Sequence, residues 1–529
     1  MKEVSAIRVT VPEKDLERLS FCETTASALA EWVVDLPMRD SAEAAARAHR
    51  ATSEVARLDV GPDARLALLE QVRPMVHYLC TRLDRGAAGD GAAARLAQRL
   101  EADLCAGYKA VVLDSGRATG EDVLPLAIHR ALSDLSRTLL RASQFYVAPP
   151  EGLWLELNQL YLLAERMDLA ELRIEDAENH SAPVTAITEA YLRPVLFACA
   201  RPNQLRYRQL AELFNCLEEW AQHVVLAADA TASLFAVDLE SDRGPVHARA
   251  LRGATDPRGV RTESLVRQLD AYRRCLPTTL RVPDGMSDAE VHHLADAWGR
   301  LRPRSHRRLD ASGTIKICTG LRAAHYAISG WAEPSGTTDP PAEPRGEVDP
   351  FHADAAAEQG PAPTGLRIYD ASAVNASPGG YRIDWNDPLP VELQTGELIA
   401  LREPGDEHWC LAVVRWIRHD DHGSTTGLAL LAPRATPVAI RGIRKLGGPA
   451  AFTPALTLPA IPPLEEPATL LTPHLPFESG QKVQILCDGV RTTAQLTACT
   501  LETGSVMRFT YRMLSGYLEN GGTATTMTP

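Results

Sequence analysis

Between about residues 14 and 226, apolar positions recur every three or four residues, the spacing of one buried face on an α-helix. Leu66, Leu69, Val72, Val76 and Leu79 form one such stripe. Leu153, Leu157, Leu160, Leu163 and Met167 form a second, and Leu210, Phe214, Leu217, Trp220 and Val224 a third. Arg and Glu fill much of the opposite faces. Pro74 falls inside the first stripe; it lacks an amide donor and crowds the preceding turn, so it is expected to kink or end that helix. Ahead of this region Ile7, Val9 and Val11 alternate, which predicts a short strand or extended arm over residues 1–12. No fixed repeat length links the stripes, although helix pairs of this size resemble an α-helical array. The region reads as an irregular helical domain with its own core, and a partner-binding scaffold is the alternative.

The pattern then changes. Ser233–Leu239 alternates, Glu240–Gly244 turns, and Val246–Leu251 returns, so a hairpin is expected near 233–251. Two helices follow. In the second, Ser287 and Glu290 have capping-box spacing, Val291, Leu294 and Trp298 share a face, and Gly299 suits the stop. After Arg308 the period shortens toward two, with Ile315 and Ile317 alternating with Lys316 and Cys318 in Thr314–Cys318. Residues 332–364 hold seven prolines and read as a flexible insertion. Strand patterns resume at Leu366–Tyr369, Tyr381–Trp385, Glu397–Arg402, Trp409–Ile417, Thr426–Leu431 and Pro437–Ile443, which suggests a small antiparallel barrel. Residues 449–476 are again Pro-rich and read as a linker. A last β segment covers Lys482–Cys487, Thr492–Cys499 and Ser505–Tyr511. The expected fold is multidomain α + β: a mainly helical domain over 1–285, a β-barrel with its insertion over 286–448, and a small C-terminal β segment over 477–529.

Composition narrows the chemistry. The chain has 529 residues, 45% hydrophobic and 23% charged, as expected for two to four globular domains. Its net charge of −13 argues against a nucleic-acid polymer as partner, so an anion site must be a local basic patch. Arginine outnumbers lysine 49 to 6, so a single arginine carries little information by type. The ten cysteines are scattered without a CxxC pair and read as reduced, mostly buried thiols of a cytoplasmic protein. No apolar run approaches the ~18–20 residues of a membrane span, and the N-terminus carries no signal core. The phosphate-loop, zinc-protease, nucleophile-elbow and dinucleotide motifs are all missing. No catalytic residue, metal site or cofactor is therefore expected, and the chain reads as a non-enzyme; an unrecognised site in the helical region is the weaker alternative. Gly423-Ser424-Thr425-Thr426-Gly427 is expected to be a hairpin loop. His292 and His293 would diverge by ~100° on a helix, and they read as solvated rather than metal-binding.

Two patterns remain. Arg300, Arg302, Arg304, Arg307 and Arg308 crowd into nine residues, and Arg304 and Arg308 make an Arg-x-x-x-Arg spacing. At this arginine content about four or five such spacings arise by chance. Asn375-Ala376-Ser377-Pro378-Gly379-Gly380 gives [Asp/Asn]-x-Ser-x-x-Gly, of which chance supplies roughly 0.1–0.2. Asp370-Ala371-Ser372 begins the same way but meets Asn375 where glycine is needed, so the Asn375 frame is preferred.

Both patterns, in this order and beside predicted barrel strands, resemble the PilZ domain, the bacterial receptor module for cyclic di-GMP. The resemblance covers roughly residues 300–445. It implies that Arg304 and Arg308 clamp phosphates and guanine faces, with Arg307 assisting, while Asn375, Ser377 and Gly380 hold a guanine edge. The chemistry is consistent: guanidinium groups fork onto phosphate and stack on purines, and glycine lets backbone approach closely. The Pro-rich insertion separates the two motifs and must loop out for the pocket to close. The implied function is a cytoplasmic cyclic di-GMP effector. Binding would order the arginine segment and relay the change through the adjoining Ser287–Trp298 helix and the helical region to an unidentified protein partner. The rival reading is a PilZ-like interaction scaffold that binds no nucleotide.

Overall fold

The computed structural model describes residues 7–86, 91–115, 120–300, 309–329, 367–377, 379–390, 393–420, 423–443, 451–460 and 467–517. The chain divides into two compact units between Pro303 and Arg304.

The first unit opens with six helices: α1 (Ala26–Val34), α2 (Ser41–Arg57), α3 (Pro62–Gly86), α4 (Gly91–Asp114), α5 (Val123–Gln144) and α6 (Leu153–Arg166). A short hairpin, β1 (Arg173–Glu175) and β2 (Val184–Ala186), leads to α7 (Ile187–Cys199) and α8 (Tyr207–Trp220). Next come β3 (Val225–Ala227), β4 (Phe235–Asp238), β5 (Val246–His247) and β6 (Pro257–Arg261), and then α9 (Glu263–Arg273) and α10 (Asp288–Gly299). The three apolar stripes are buried in one core, apart from Met167, which is exposed. Helix α3 runs through Pro74 without ending there. A helix-interior proline costs about 3 kcal/mol. Leu69, Val72, Val76 and Leu79 are all fully buried around it, at about 1.5–3 kcal/mol each, and outweigh that cost. The N-terminal arm lies against α6: the Thr10 amide donates to Glu156 Oε1 (2.7 Å) and the Arg8 amide to Gln159 Oε1 (3.3 Å).

Two expectations change here. The 233–251 hairpin forms, but its paired strands are short, and β3 and β6 extend it to a four-stranded sheet of order β3-β6-β4-β5. Helix α10 carries the expected capping box, with Ser287 and Glu290 bonded reciprocally. It packs into the helical unit and not beyond 285: Trp298 stands edge-to-face on Trp220 at 6.2 Å and donates its indole N–H to the Leu196 carbonyl. The unit therefore extends to Pro303.

The described residues of the second unit are almost entirely β. Its first part holds β7 (Leu309–Asp310), β8 (Thr314–Thr319), α11 (Leu321–Ile328), β9 (Tyr369–Ser377), β10 (Gly380–Trp385), β11 (Leu398–Arg402), β12 (Cys410–Asp420) and β13 (Gly423–Ala432). The pairings run β10-β13-β12-β11-β8-β9, and β9 returns to β10, closing an antiparallel ring with β7 on its rim. Helix α11 has no counterpart in the sequence reading; it is too short for its period to stand out. The expected loop at Gly423–Gly427 is strand, the first half of β13.

The second part is a closed barrel, β14 (Thr436–Gly442), β15 (Thr453–Leu458), β16 (Thr469–Pro473), β17 (Lys482–Cys487), β18 (Val490–Glu502) and β19 (Val506–Tyr517), in the order β14-β15-β16-β19-β18-β17. Residues 449–476, expected as a linker, thus supply two barrel strands, and the barrel begins at β14 rather than at 477. Their prolines disguised the alternation: Pro454 near the start of β15 and Pro473 at the end of β16 leave Leu456, Leu458, Leu470 and Leu471 buried. The two barrels share an apolar seam. Leu398, Ala400, Trp409 and Leu411 of the ring meet Leu456, Leu458, Leu471 and Val506.

Candidate functional site

The second motif forms the tip of the β9–β10 hairpin. Ser377 pairs with Gly380, Tyr381 with Ala376 and Arg382 with Asn375. Alternation decides the faces. Ile383 and Trp385 are buried, so Arg382 and its partner Asn375 project from the other side of the sheet, the outside of the ring. Gly380 has φ of +152°, and a Cβ there would meet the Leu428 carbonyl oxygen at 1.9 Å. Both reasons for expecting glycine thus hold at this position. The Ser377 hydroxyl donates to the Gly380 carbonyl at 3.3 Å and ties the hairpin ends together. The rejected frame is strand interior: Ala371 is buried, Asp370 pairs with Lys316 at 3.1 Å, and Ser372 donates to Asn386.

Arg304, Arg307 and Arg308 lie outside the described residues. Their attachment does not. Leu309, bonded to Arg308, pairs with Ala376, and Asp310 pairs with Asn375. Leu309 and Asp310, the residues that follow the arginine segment, therefore lie beside the hairpin, across the insertion that separates the motifs in sequence.

Three neighbours escaped the sequence reading. Arg382 sits opposite Asn375 on one side and opposite Gly427 on the other. Gly427 pairs in turn with Trp416, and a Cβ there would lie 2.0 Å from the indole Nε1, so the indole covers the glycine directly. A row thus crosses five strands on the outer face: Trp416, Gly427, Arg382, Asn375, Asp310. Tyr381, on the inner side, donates to Glu403 at 2.6 Å; burial, reinforced by that carboxylate, pushes its phenol well above the ordinary tyrosine range. The signal for Arg382 and Trp416 was the strand register, which sequence spacing alone does not supply.

Other candidate chemistry resolves structurally. His292 is exposed, whereas His293 Nε2 bonds the Ala200 carbonyl at 2.9 Å and is not a solvated residue. Among the described residues no group of His, Cys, Asp or Glu is placed to hold a metal ion. The ten cysteines are all free, and five of them are buried. Among the described residues no helix is long and apolar enough to cross a membrane.

Comparison with known proteins gives three domains, of which the first two meet near residue 231, ahead of the boundary at Pro303 between the compact units. Family models described as the N-terminal domain and the middle PilZ domain of the cyclic-di-GMP receptor FimW match residues 27–231 and residues 234–344 with 338–437. A third, the FimW C-terminal β-barrel domain, matches residues 438–514, the closed barrel. The cyclic-di-GMP receptor FimW of Pseudomonas aeruginosa is 33% identical over 569 aligned positions, covering 96% of this chain and 93% of that protein. The multidomain α + β fold and the PilZ resemblance are borne out, and the chain belongs to the cyclic-di-GMP receptor FimW family.

Proposed function

We propose that this protein is a non-catalytic receptor that binds cyclic di-GMP on the outer face of the β9–β10 hairpin. Arg304 and Arg308 close over the phosphates, Arg307 assists, and Asn375, Ser377 and Gly380 present the guanine-binding edge. The observation that carries this reading is the pairing of Asp310 with Asn375, which puts the residues that follow the arginine segment in sequence next to the hairpin. Guanidinium groups supply forked, charge-assisted hydrogen bonds to phosphate, and the net charge of −13 makes such a local cluster necessary for an anionic ligand. Family membership supports the ligand class.

The output is a relay to a protein partner through the helical region. The arginine segment joins the end of α10, whose Trp298 reaches into the core of that unit. Ordering the segment would therefore pull on α10. Calorimetric titration of the full chain with cyclic di-GMP tests binding, with Arg304→Ala and Arg308→Ala beside the wild type. No heat from the wild type refutes the receptor reading. Unchanged affinity in both variants moves the pocket elsewhere. Hydrogen exchange in α10, with and without ligand, tests the relay: equal protection in both states discards it.

A further inference from the structure

Two side-chain atoms on the outer face of the hairpin are buried without a hydrogen bond: Asn375 Oδ1 and Arg382 Nε. A stranded buried polar atom costs about 1–3 kcal/mol. The two residues are direct cross-strand partners, with Cβ atoms about 4.5–5.5 Å apart in such a pair. One is a donor and the other an acceptor, yet they do not bond to each other.

Arg382 also stands apart from the other arginines in this condition. Arg65, Arg73 and Arg137 likewise leave Nε buried and unbonded. Each compensates through its other nitrogens: Arg65 to the Leu58 carbonyl, Arg73 to both Asp176 oxygens, Arg137 to the Glu178 carbonyl. Arg382 has no side-chain hydrogen bond or ion pair among the described residues. A nearby carboxylate on its face, Asp384, is engaged by the Thr425 hydroxyl at 2.8 Å. Arg382 pairs across the strands with Gly427, whose missing side chain admits the Trp416 indole.

We infer that Arg382, beside Asn375, is a specificity residue that reads guanine against adenine in the bound cyclic dinucleotide. The inference rests on the receptor reading above and deepens it. Guanine presents its O6 acceptor next to its N1–H donor. Adenine presents a 6-amino donor next to an N1 acceptor. Arginine can only donate. Arg382 directed at O6, with Asn375 Oδ1 accepting from N1–H, matches guanine at both atoms. Against adenine it sets donor against donor and acceptor against acceptor. A site built to hydrogen-bond one pattern rejects the reversed one because its own buried groups are then left unpaired. The Trp416 indole supplies a flat apolar surface alongside.

The test titrates the full chain with cyclic di-GMP and with cyclic di-AMP, for wild type, Arg382→Ala and Arg382→Gln. Losing one charge-assisted hydrogen bond predicts about a tenfold or greater loss of cyclic di-GMP affinity in Arg382→Ala, with cyclic di-AMP changed less than about threefold. Glutamine carries an acceptor as well as donors, so Arg382→Gln narrows the ratio of the two affinities by about tenfold. Should the alanine variant fail to fold by circular dichroism, the glutamine variant decides. Unchanged cyclic di-GMP affinity, or equal losses for both ligands, overturns the role of Arg382 and leaves the receptor reading intact. A wild type that binds neither ligand overturns the receptor reading, and this inference with it.

Discussion

Gly380→Ala separates the steric part of the second motif from its ligand chemistry. A Cβ at residue 380 would sit 1.9 Å from the Leu428 carbonyl oxygen, 2.9 Å from the Leu428 carbonyl carbon and 3.1 Å from Ala429 Cα. Ordinary contact is about 3.5 Å, so β10 and β13 must separate by more than about 1 Å at this point. All three atoms are backbone, so no side chain can rotate away. The separation strains the Gly380–Ala429 pairing and the hydrogen bond from the Leu430 amide to the Gly379 carbonyl. Overpacking of this kind costs about 1–3 kcal/mol, and the positive φ adds about 1–3 kcal/mol. The expected loss is about 2–6 kcal/mol in the second unit. Gly423→Ala is the control: its φ is +133°, but nothing lies within 4 Å of the added Cβ, so it bears the backbone strain without the clash. Urea unfolding of each full-length variant, followed by tryptophan fluorescence, reads the ring through Trp385, Trp409 and Trp416. The clash predicts that Gly380→Ala is less stable than Gly423→Ala by about 1–3 kcal/mol. Equal stabilities would refute the claim that the Leu428 carbonyl dictates this glycine.

Further outcomes follow from the helical unit and from the row beside the hairpin. Asp176→Ala removes one carboxylate from Arg73 (2.6 and 2.9 Å), which keeps Asp134 at 3.6 Å, and from Arg130 (3.2 Å), which keeps Glu70; with both arginines buried, it is expected to cost about 3 kcal/mol in chemical denaturation of that unit. His129 is fully buried; desolvation, set against the Asp176 charge and aided by Arg130 and Arg73, lowers its pKa to about 3. Its contribution to stability is complete above the unfolded pKa of about 6.5 and is lost as pH falls toward the folded value, at up to about 1.4 kcal/mol per pH unit. His129→Asn should flatten the dependence of unfolding free energy on pH between about 6 and 4.5, and an unchanged slope would discard that assignment. Gly427→Ala forces the Trp416 indole off the sheet; a red shift in emission, lost in a Trp416→Phe background, is the expected sign.

Much of the fold was legible because periodicity survives wherever burial is one-sided. The helical stripes, the α10 capping box and the strand at Lys482–Cys487 all rest on local spacing. What escaped has non-local causes. The boundary after α10 depends on Trp298 meeting Trp220, a contact invisible to a window of residues. Strands β15 and β16 were hidden by prolines, whose statistics describe loops although Pro454 still takes its place opposite Ala439. Pro74 misled in the same direction, since a single lost hydrogen bond is small beside a stripe of buried leucines and valines. At the site, Asn375, Ser377 and Gly380 were legible as a turn signature. Gly427 read as loop because glycine with serine and threonine usually is; its use as a bed for Trp416 follows from register alone.

The arginines show how far residue type and residue context differ in weight. In a chain with 49 of them, an arginine cluster says little about an anion. The structure sorts several of these arginines by partner. Arg73, Arg130, Arg141 and Arg193 are buried and met by carboxylates at 2.6–3.2 Å, so each belongs to the packing of the helical unit. Arg82, Arg402 and Arg441 lie over aromatic rings. Arg382 falls in neither class. Desolvation without a partner opposes folding, so a fold that keeps such a group gains nothing from it in the free state. Replacing Arg382 by an apolar residue of similar length, as in Arg382→Met, removes that cost while keeping the packed stem. Arg382→Met is therefore expected to be as stable as the wild type or more so in urea, while losing affinity for cyclic di-GMP. A marked loss of stability would mean that Arg382 holds the barrel together, and the case for it as a ligand residue would fall.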